Sequence, residues 1–302
     1  MSVELREVKR RIGGVRQIHK ATSAMEKIAS ARLGRDKTAV MNSRRYTGTL
    51  TRTLFEIHNA SPESTHSLMS PSKGKKTCVI LFGSDRGLCG GFNTALMDKM
   101  GQFREQNTGR NISVIVMGKV VNRRSTHQGY SIEQFFLQPV RRLMEEADGT
   151  KPLFTAMPDE ISRIASMVTE SFLNATYGEV YLIYSRFVSG VRQEPVIDKL
   201  LPVQTAAPAS SEHDKPSGLK MAIFEPGPGM ILDRLLPEYV RRRIYDAFLN
   251  SVASETGARQ TAMLRASDNA DEMISDLLLT YSRLRQEDIT TQMIELASGS
   301  MK

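Results

Sequence analysis

Apolar residues recur every three or four positions at both ends of this 302-residue chain and gather into short continuous runs between them. Near the start, Leu5, Val8, Ile12, Val15, Ile18, Met25 and Ile28 fall on one face of a helix. Near the end, Met263, Ala266, Ala270, Met273, Leu277, Tyr281 and Leu284 keep the same rhythm, close to the 3.5-residue average of a coiled-coil seam. Small residues at Ala21, Ala24, Ala266 and Ala270 let two such backbones approach closely. The pattern predicts that the two ends pair as an antiparallel coiled coil.

Proline placement supports long helices there, because an interior proline removes a backbone hydrogen bond and clashes with the preceding turn. All twelve prolines lie between Pro62 and Pro237. A front arm and a back arm almost free of helix breakers therefore flank a proline-punctuated middle. Unbroken, residues 232–299 would extend roughly 100 Å at about 1.5 Å per residue. Two or three shorter helices per arm, broken near Gly13-Gly14, Gly34 or Gly257, are the alternative, and Pro237 is expected in a first turn or at a kink.

In the middle, the β-branched, apolar run 77–82 predicts a strand, followed by a glycine-rich turn and a helix over about 93–105. Further strands are expected at 112–117, 131–137 and 180–185, with a helix over about 158–177 before the last of these. Strands alternating with helices imply a mostly parallel, helix-covered sheet. Gly190 then turns the chain into 191–197, expected as an antiparallel edge. The fold class is α/β: a Rossmann-like globular domain plus the coiled coil. The expected domains are an N-terminal coiled-coil helix over 1–61, the globular domain over 75–200, a Pro/Ala/Ser/Gly-rich linker over 201–229 and a C-terminal coiled-coil helix over 230–302.

Charge sharpens the picture of the front arm. Residues 1–61 hold thirteen basic and five acidic side chains, which equals the net +8 of the whole chain. Any anionic partner meets this arm first. No stretch approaches the roughly 18 apolar residues of a membrane span. Only Cys78 and Cys89 are present, so neither a disulfide framework nor a zinc site is indicated.

Catalytic chemistry finds little purchase. The turn 83–93 sits at the end of the first strand, where open α/β sheets often hold ligands. It lacks the Gly-x4-Gly-Lys-Ser/Thr and Gly-x-Gly-x-x-Gly spacings, so it reads as a structural turn. Cys89 has no histidine near it in sequence. The five histidines are scattered, and Asp268, Asp271, Glu272 and Asp276 read as a solvated helix face. No catalytic residue, cofactor site or metal site is expected, which points to mechanical or scaffolding work.

Three segments resemble one family, the gamma subunits of F-type ATP synthases. Arg11-Ile12-Gly13-Gly14-Val15 and Lys20-Ala21-Thr22-Ser23-Ala24-Met25-Glu26-Lys27-Ile28-Ala29 are similar to the family's opening helix. Ser84-Asp85-Arg86-Gly87-Leu88-Cys89-Gly90-Gly91-Phe92-Asn93 resembles its central turn almost letter for letter. Ser254-Glu255, Arg259, Ala262-Met263, Asp268-Asn269-Ala270, Arg285-Gln286 and Ile289-Thr290 resemble its closing helix, in the family's order. Ser282, Gln292 and Gln260 depart from the usual residues and bear on contact details. The photosynthetic inserted cysteine pair has no counterpart.

The resemblance implies a rotor shaft turning inside a ring of alternating alpha and beta subunits, with its globule on the ring of membrane c subunits beside the epsilon or delta partner. Transmembrane proton flow would then be coupled to ATP synthesis in beta. By the same resemblance, Arg285 and Gln286 match a pair that bonds a catalytic-subunit loop, Arg259 and Thr290 match coupling positions, and Met25 and Lys27 lie on the helix facing acidic loops. The implied place is peripheral on the matrix side of the mitochondrial inner membrane, with the cytoplasmic face of a bacterial plasma membrane as the alternative. Two rivals of other classes are a basic, nucleic-acid-associated coiled-coil scaffold and a dinucleotide-dependent enzyme.

Overall fold

A computed structural model describes residues 3–139, 157–204 and 227–299. Most of the expected linker, residues 205–226, lies outside the described residues. The chain divides into two compact units, residues 32–258 and residues 1–31 with 259–302. The described elements are helix α1 (Val3–Ala60), β1 (Lys76–Phe82), α2 (Phe92–Gln106), β2 (Asn111–Met117), α3 (Lys119–His127), β3 (Ser131–Phe136), α4 (Asp159–Leu173), β4 (Tyr177–Phe187), β5 (Gln193–Leu201) and α5 (Pro228–Gly299).

Within the 32–258 unit the five strands form one sheet in the order β3-β2-β1-β4-β5. All neighbours are parallel except β4 and β5, which pair antiparallel, so the expected mostly parallel sheet with an antiparallel edge is present. Continuous apolar strands follow from burial on both faces. Val79 and Leu81 point with Val114 and Val116 toward Leu96, Met100 and Phe103 of α2. Cys78, Ile80 and Phe82 point with Ile115 and Met117 toward α4, α5 and α1. Helix α4 presents Ile161, Ile164, Ala165, Val168 and Phe172, the spacing of one helical face.

Helix α3 was not anticipated. Its residues KVVNRRSTH carry only two adjacent valines, too few to show a period, and the fold makes it locally. Gly118 before it has a φ of +116°, and a Cβ there would lie 2.4 Å from the Gly83 carbonyl oxygen. Only glycine lets β2 end against the turn that follows β1.

Both long helices are unbroken. Gly13 and Gly14 lie exposed inside α1, where each costs about 1 kcal/mol, less than flanking packing returns. Helix α5 begins at Pro228, where the missing N–H has no helical partner to lose. Of the two places expected for Pro237, a first turn or a kink, the first is excluded, since it stands in the third turn of α5. From Ile244 to Gly257 every residue of α5 is buried.

That burial includes a strained group. Asp246 is 7% exposed, and its Oδ1 finds no donor among the described residues. Burial pushes its pKa up, against the opposing pull of Arg243, Ser43 and Arg44. A carboxyl whose folded pKa is raised favours folding at low pH and loses that contribution as pH rises through the folded value. Asp246→Asn is therefore expected to gain stability relative to the parent as pH rises from the ordinary carboxylate range toward neutrality. Urea denaturation across pH 4 to 7 checks this; a pH-independent difference contradicts it.

Candidate functional site

Two regions carry the residues singled out by sequence, one in each compact unit. In the 32–258 unit, the turn after β1 meets α5 at the carboxyl ends of the strands. The turn is tied by its own side chains: the Ser84 N–H donates to Asn93 Oδ1 at 3.1 Å, and Asn93 Nδ2 donates to Ser84 Oγ at 2.7 Å. Asn93 Nδ2 also lies 3.2 Å from Cys89 Sγ, and Ser84 Oγ donates to the Arg86 carbonyl at 2.8 Å. Asp85 accepts the backbone N–H groups of Lys119 and Gln138 at 3.0 and 3.1 Å.

Helix α5 occupies the place where such sheets hold ligands. Ser251 Oγ donates to the Phe82 carbonyl at 3.1 Å, and Ser254 Oγ donates to the Ser185 carbonyl at 2.9 Å. Asn250 Oδ1 accepts the Phe187 N–H at 3.3 Å. Gln138 Nε2 bridges the Gly83 carbonyl and Glu255 Oε2, the latter at 3.1 Å. The carbonyls of Gly83, Phe82 and Ser185 and the N–H of Phe187 at the strand ends are thus bonded to Gln138 and to the chain's own helix. Sequence pointed to the turn and to Ser254-Glu255 separately. It gave no sign of Gln138, which joins them across more than a hundred residues.

In the other unit, the starts of α1 and the later part of α5 pair antiparallel. His19 Nε2 lies 3.2 Å from Asp271 Oδ2, and Gln260 Nε2 donates to Glu26 Oε1 at 3.3 Å. As residue number rises along one helix it falls along the other. The inward positions are Leu5, Val8, Ile12, Val15, His19, Thr22, Glu26 and Ala29, opposite Gln260, Met263, Ser267, Ala270, Ile274, Leu277, Tyr281 and Leu284. These alternate three and four without a slip.

That register corrects the sequence reading. Ile18, Met25 and Ile28 were expected in the seam but are 57%, 41% and 62% exposed, and Met273 is exposed beside the inward Ile274. Ala21 and Ala24 are exposed as well; the small residues inside are Ala29, Ser267 and Ala270. The reason is geometric: the strict alternation continues from Val15 to His19, and following the apolar letters instead rotates the face by one residue. The middle of the seam is consequently polar, and polar seam positions fix register at a cost in stability. Asp271, expected on a solvated face, pairs with His19.

The six residues matched by resemblance fall into two groups. Gln260–Glu26 places Arg259 level with Met25 and Lys27; Arg259 is half-buried and the other two are exposed. Arg285, Gln286 and Thr290 are exposed some 26 residues further along α5, roughly 39 Å at helical rise. Thr290 Oγ1 donates to the Gln286 carbonyl at 2.8 Å, so its hydroxyl is used within the helix. Sequence reasoning passed over a neighbouring feature. Ile289, Met293 and Leu296 are 47%, 68% and 75% exposed at i, i+4 and i+7, an apolar stripe whose spacing was visible in the sequence.

The comparisons bear directly on these segments. The sequence matches the family described as ATP synthase over residues 4–301. The ATP synthase gamma chain of Heliobacterium modesticaldum is 34% identical over 304 residues, covering 98% of each chain. The chain belongs to the ATP synthase gamma-chain family. The gamma chain of Pelotomaculum thermopropionicum is likewise 34% identical over 298 residues, covering 98% of each. A chain of the mitochondrial ATP synthase of Euglena gracilis is similar in fold, with a TM-score of 0.64 at 17% identity, covering 99% of this chain and 93% of that one. A chain from the central stalk and c-ring of the Tetrahymena thermophila mitochondrial enzyme gives 0.58 at 19%, covering 82% and 99%. At those identities the two structures speak for the fold alone. Among the described residues of this gamma-family chain, no helix is long and apolar enough to cross a membrane. The nucleic-acid scaffold reading of the basic arm gains no support from these relatives.

The seam register is checked by a contrast. Ile12, 6% exposed, and Ile18, 57% exposed, are the same residue six positions apart. Ile12→Asp is expected to cost about 3 kcal/mol or more by burying an unpaired charge, and Ile18→Asp about 0.5 kcal/mol or less. Equal losses in thermal or urea denaturation of the isolated chain would overturn the register.

Proposed function

We propose that this gamma-family chain is the central rotor shaft of an F-type ATP synthase, coupling transmembrane proton flow to ATP synthesis carried out by beta subunits, and is itself non-catalytic. The observation that carries the reading beyond family membership is the stripe Ile289, Met293 and Leu296. An exposed apolar stripe at the end of a long helix marks a surface that is covered in the working assembly. An apolar tip turning within a ring of alpha and beta subunits satisfies that requirement.

Within the arms 1–61 and 230–302, the paired stretches 1–31 and 259–302 serve as the shaft, and the globule built on 75–200 meets the c ring and the epsilon or delta subunit. Arg285 and Gln286 engage a catalytic-subunit loop, where a planar guanidinium beside an amide suits carboxylates and carbonyls. Thr290 lies with them. Met25, Lys27 and Arg259 form a second belt of contacts nearer the globule's end of the numbering. A rotor works by differential interaction, since only unequal contacts with alternative states of a partner shift their populations. A two-helix shaft has unequal faces by construction. No nucleotide, metal or nucleic acid is required by this chain.

The attachment to the membrane is peripheral, through the complex. The bacterial sources of the relatives at 34% identity support the cytoplasmic face of a bacterial plasma membrane over the matrix side of the mitochondrial inner membrane.

The first test is the particle itself. Gentle isolation from the source is expected to return one copy of this chain with three copies each of two nucleotide-binding chains and ATP hydrolysis in the same fraction. A free monomer or homodimer without ATPase partners refutes the proposal. In the assembled complex, Arg285→Ala is expected to lower ATP-driven proton pumping by about ten-fold while hydrolysis persists, through loss of charge-assisted hydrogen bonds. Pumping at the parent level would remove Arg285 from the coupling contact.

A further inference from the structure

At the end of the sheet opposite the α5 network, the 32–258 unit closes a second concave surface. The N-terminal ends of β1, β2 and β4 and the C-terminal end of β5 meet the loop 71–75 around a cavity of about 410 Å³. Two glycines build its wall. A Cβ on Gly178 would lie 2.3 Å from the Gly74 carbonyl oxygen, and one on Gly74 would lie 2.3 Å from the carbonyl carbon of Tyr177. The loop therefore rests directly on β4, with no side chain between them. Ser72 Oγ accepts the Gly74 N–H at 3.2 Å and donates to the Phe172 carbonyl at 3.4 Å. The Val203 N–H donates to the Leu68 carbonyl at 2.8 Å, which holds the chain just before the loop to the segment that follows β5.

Four cations line this cavity: Lys75, Lys76, Arg110 and Lys199. The single lining carboxylate is Glu179, with Lys199 Nζ at 2.6 Å from its Oε1 and Arg110 on its Oε2. Burial pushes the Glu179 pKa up, but Lys199 and Arg110 outweigh it and hold the group below its ordinary value, so it is fully ionised near neutrality. Lys76 also reaches Glu133, at 3.9 Å. Glu133 does not line the cavity, and Lys76, which shares with Cys78 the face of β1 opposite Glu179, turns to it; Lys75, Arg110 and Lys199 remain against the single carboxylate Glu179. Cations converging on a walled concavity focus a positive potential that an entering anion relieves.

The lining also says which anion. Besides the charged groups it offers Ser72 and Thr77, two prolines and two glycines, and no large apolar side chain for a hydrophobic ligand. Ammonium and guanidinium donors grouped in this way suit the several acceptor oxygens of a phosphate group. The volume exceeds by an order of magnitude the roughly 30 Å³ share of one water molecule in the liquid, so a diphosphate fits.

We infer that this cavity is a phosphate-binding site, in which Lys75, Arg110 and Lys199 take the anion and Glu179 is the internal counter-ion it displaces. The site is separate from the strand-end crevice filled by α5 and from the coiled-coil contacts, and does not depend on the rotor reading. The phosphate belongs either to a free polyphosphate or to an anionic lipid headgroup.

Isothermal titration of the full chain with inorganic pyrophosphate at low salt, and co-sedimentation with phosphatidylglycerol against phosphatidylcholine vesicles, separate the two sources. Saturable binding of pyrophosphate, or of the anionic vesicles alone, supports the site and names the source. Lys75→Ala with Arg110→Gln is expected to weaken that binding ten-fold or more. Glu179→Gln is expected to tighten it several-fold, because it releases two cations, an effect that general unfolding does not produce. Circular dichroism melting confirms that each variant folds. Absence of saturable binding to both probes, or native affinity in both variants, overturns the inference.

Discussion

A helix segment buried on every side must find partners for its polar side chains internally, and α5 between Ile244 and Gly257 is such a segment, with Asp246 Oδ1 the exception among the described residues. The rest of the 32–258 unit is arranged around that requirement. Tyr245, Phe248 and Val252 join the apolar core with strand and α1 residues, each burial worth about 1.5–3 kcal/mol. Asn250, Ser251, Ser254 and Glu255 have no water to meet, so they bond strand ends and Gln138. Thr256 Oγ1 donates to Asp36 of α1 at 2.7 Å. Gly257 comes so close to the Gly190 carbonyl oxygen that a Cβ would stand 2.8 Å from it. One polar-and-small face of a helix thus closes the crevice that a Rossmann-like sheet ordinarily opens to a nucleotide. A scaffold best known for holding ligands becomes a seat for its own C-terminal helix.

The coiled-coil unit trades differently. Its outer stretch pairs Leu5, Val8, Ile12 and Val15 with Ile274, Leu277, Tyr281 and Leu284, while its inner stretch relies on His19, Thr22 and Glu26 against Gln260, Met263 and Ser267. Apolar residues that would have strengthened the inner seam, Ile18, Met25 and Ile28, sit outside. A pair of helices optimised only for mutual affinity would have them inside. Their placement, together with the stripe at the end of α5, makes sense when the outer faces have work to do against surrounding subunits.

How much of this was legible in the sequence depended on how local the cause was. Strands β1 and β2 announce themselves because burial on both faces demands apolar runs, and the long helices follow from the absence of proline. Helix α3 left no periodic trace, since Val121 and Ser125 are its only buried residues. The seam was misread by one position in its middle because polar residues occupy inward places, and an apolar count passes over His19, Thr22 and Glu26. The turn 84–93 and Ser254-Glu255 were visible as segments. Their meeting was not, because Gln138 and the strand-end carbonyls that join them are set by tertiary packing rather than by any spacing along the chain.

The two cysteines have a practical bearing on experiments with this chain. Cys78 lies within the core, 0% exposed, where burial raises its thiol pKa far above neutrality; Cys89 is 2% exposed, its sulfur within reach of Asn93. Both sulfurs are buried in the folded state. Burial shields both native thiols from bulky reagents such as maleimides, so a single cysteine introduced at an exposed position such as Ile294 offers the accessible site for a fluorophore or spin label.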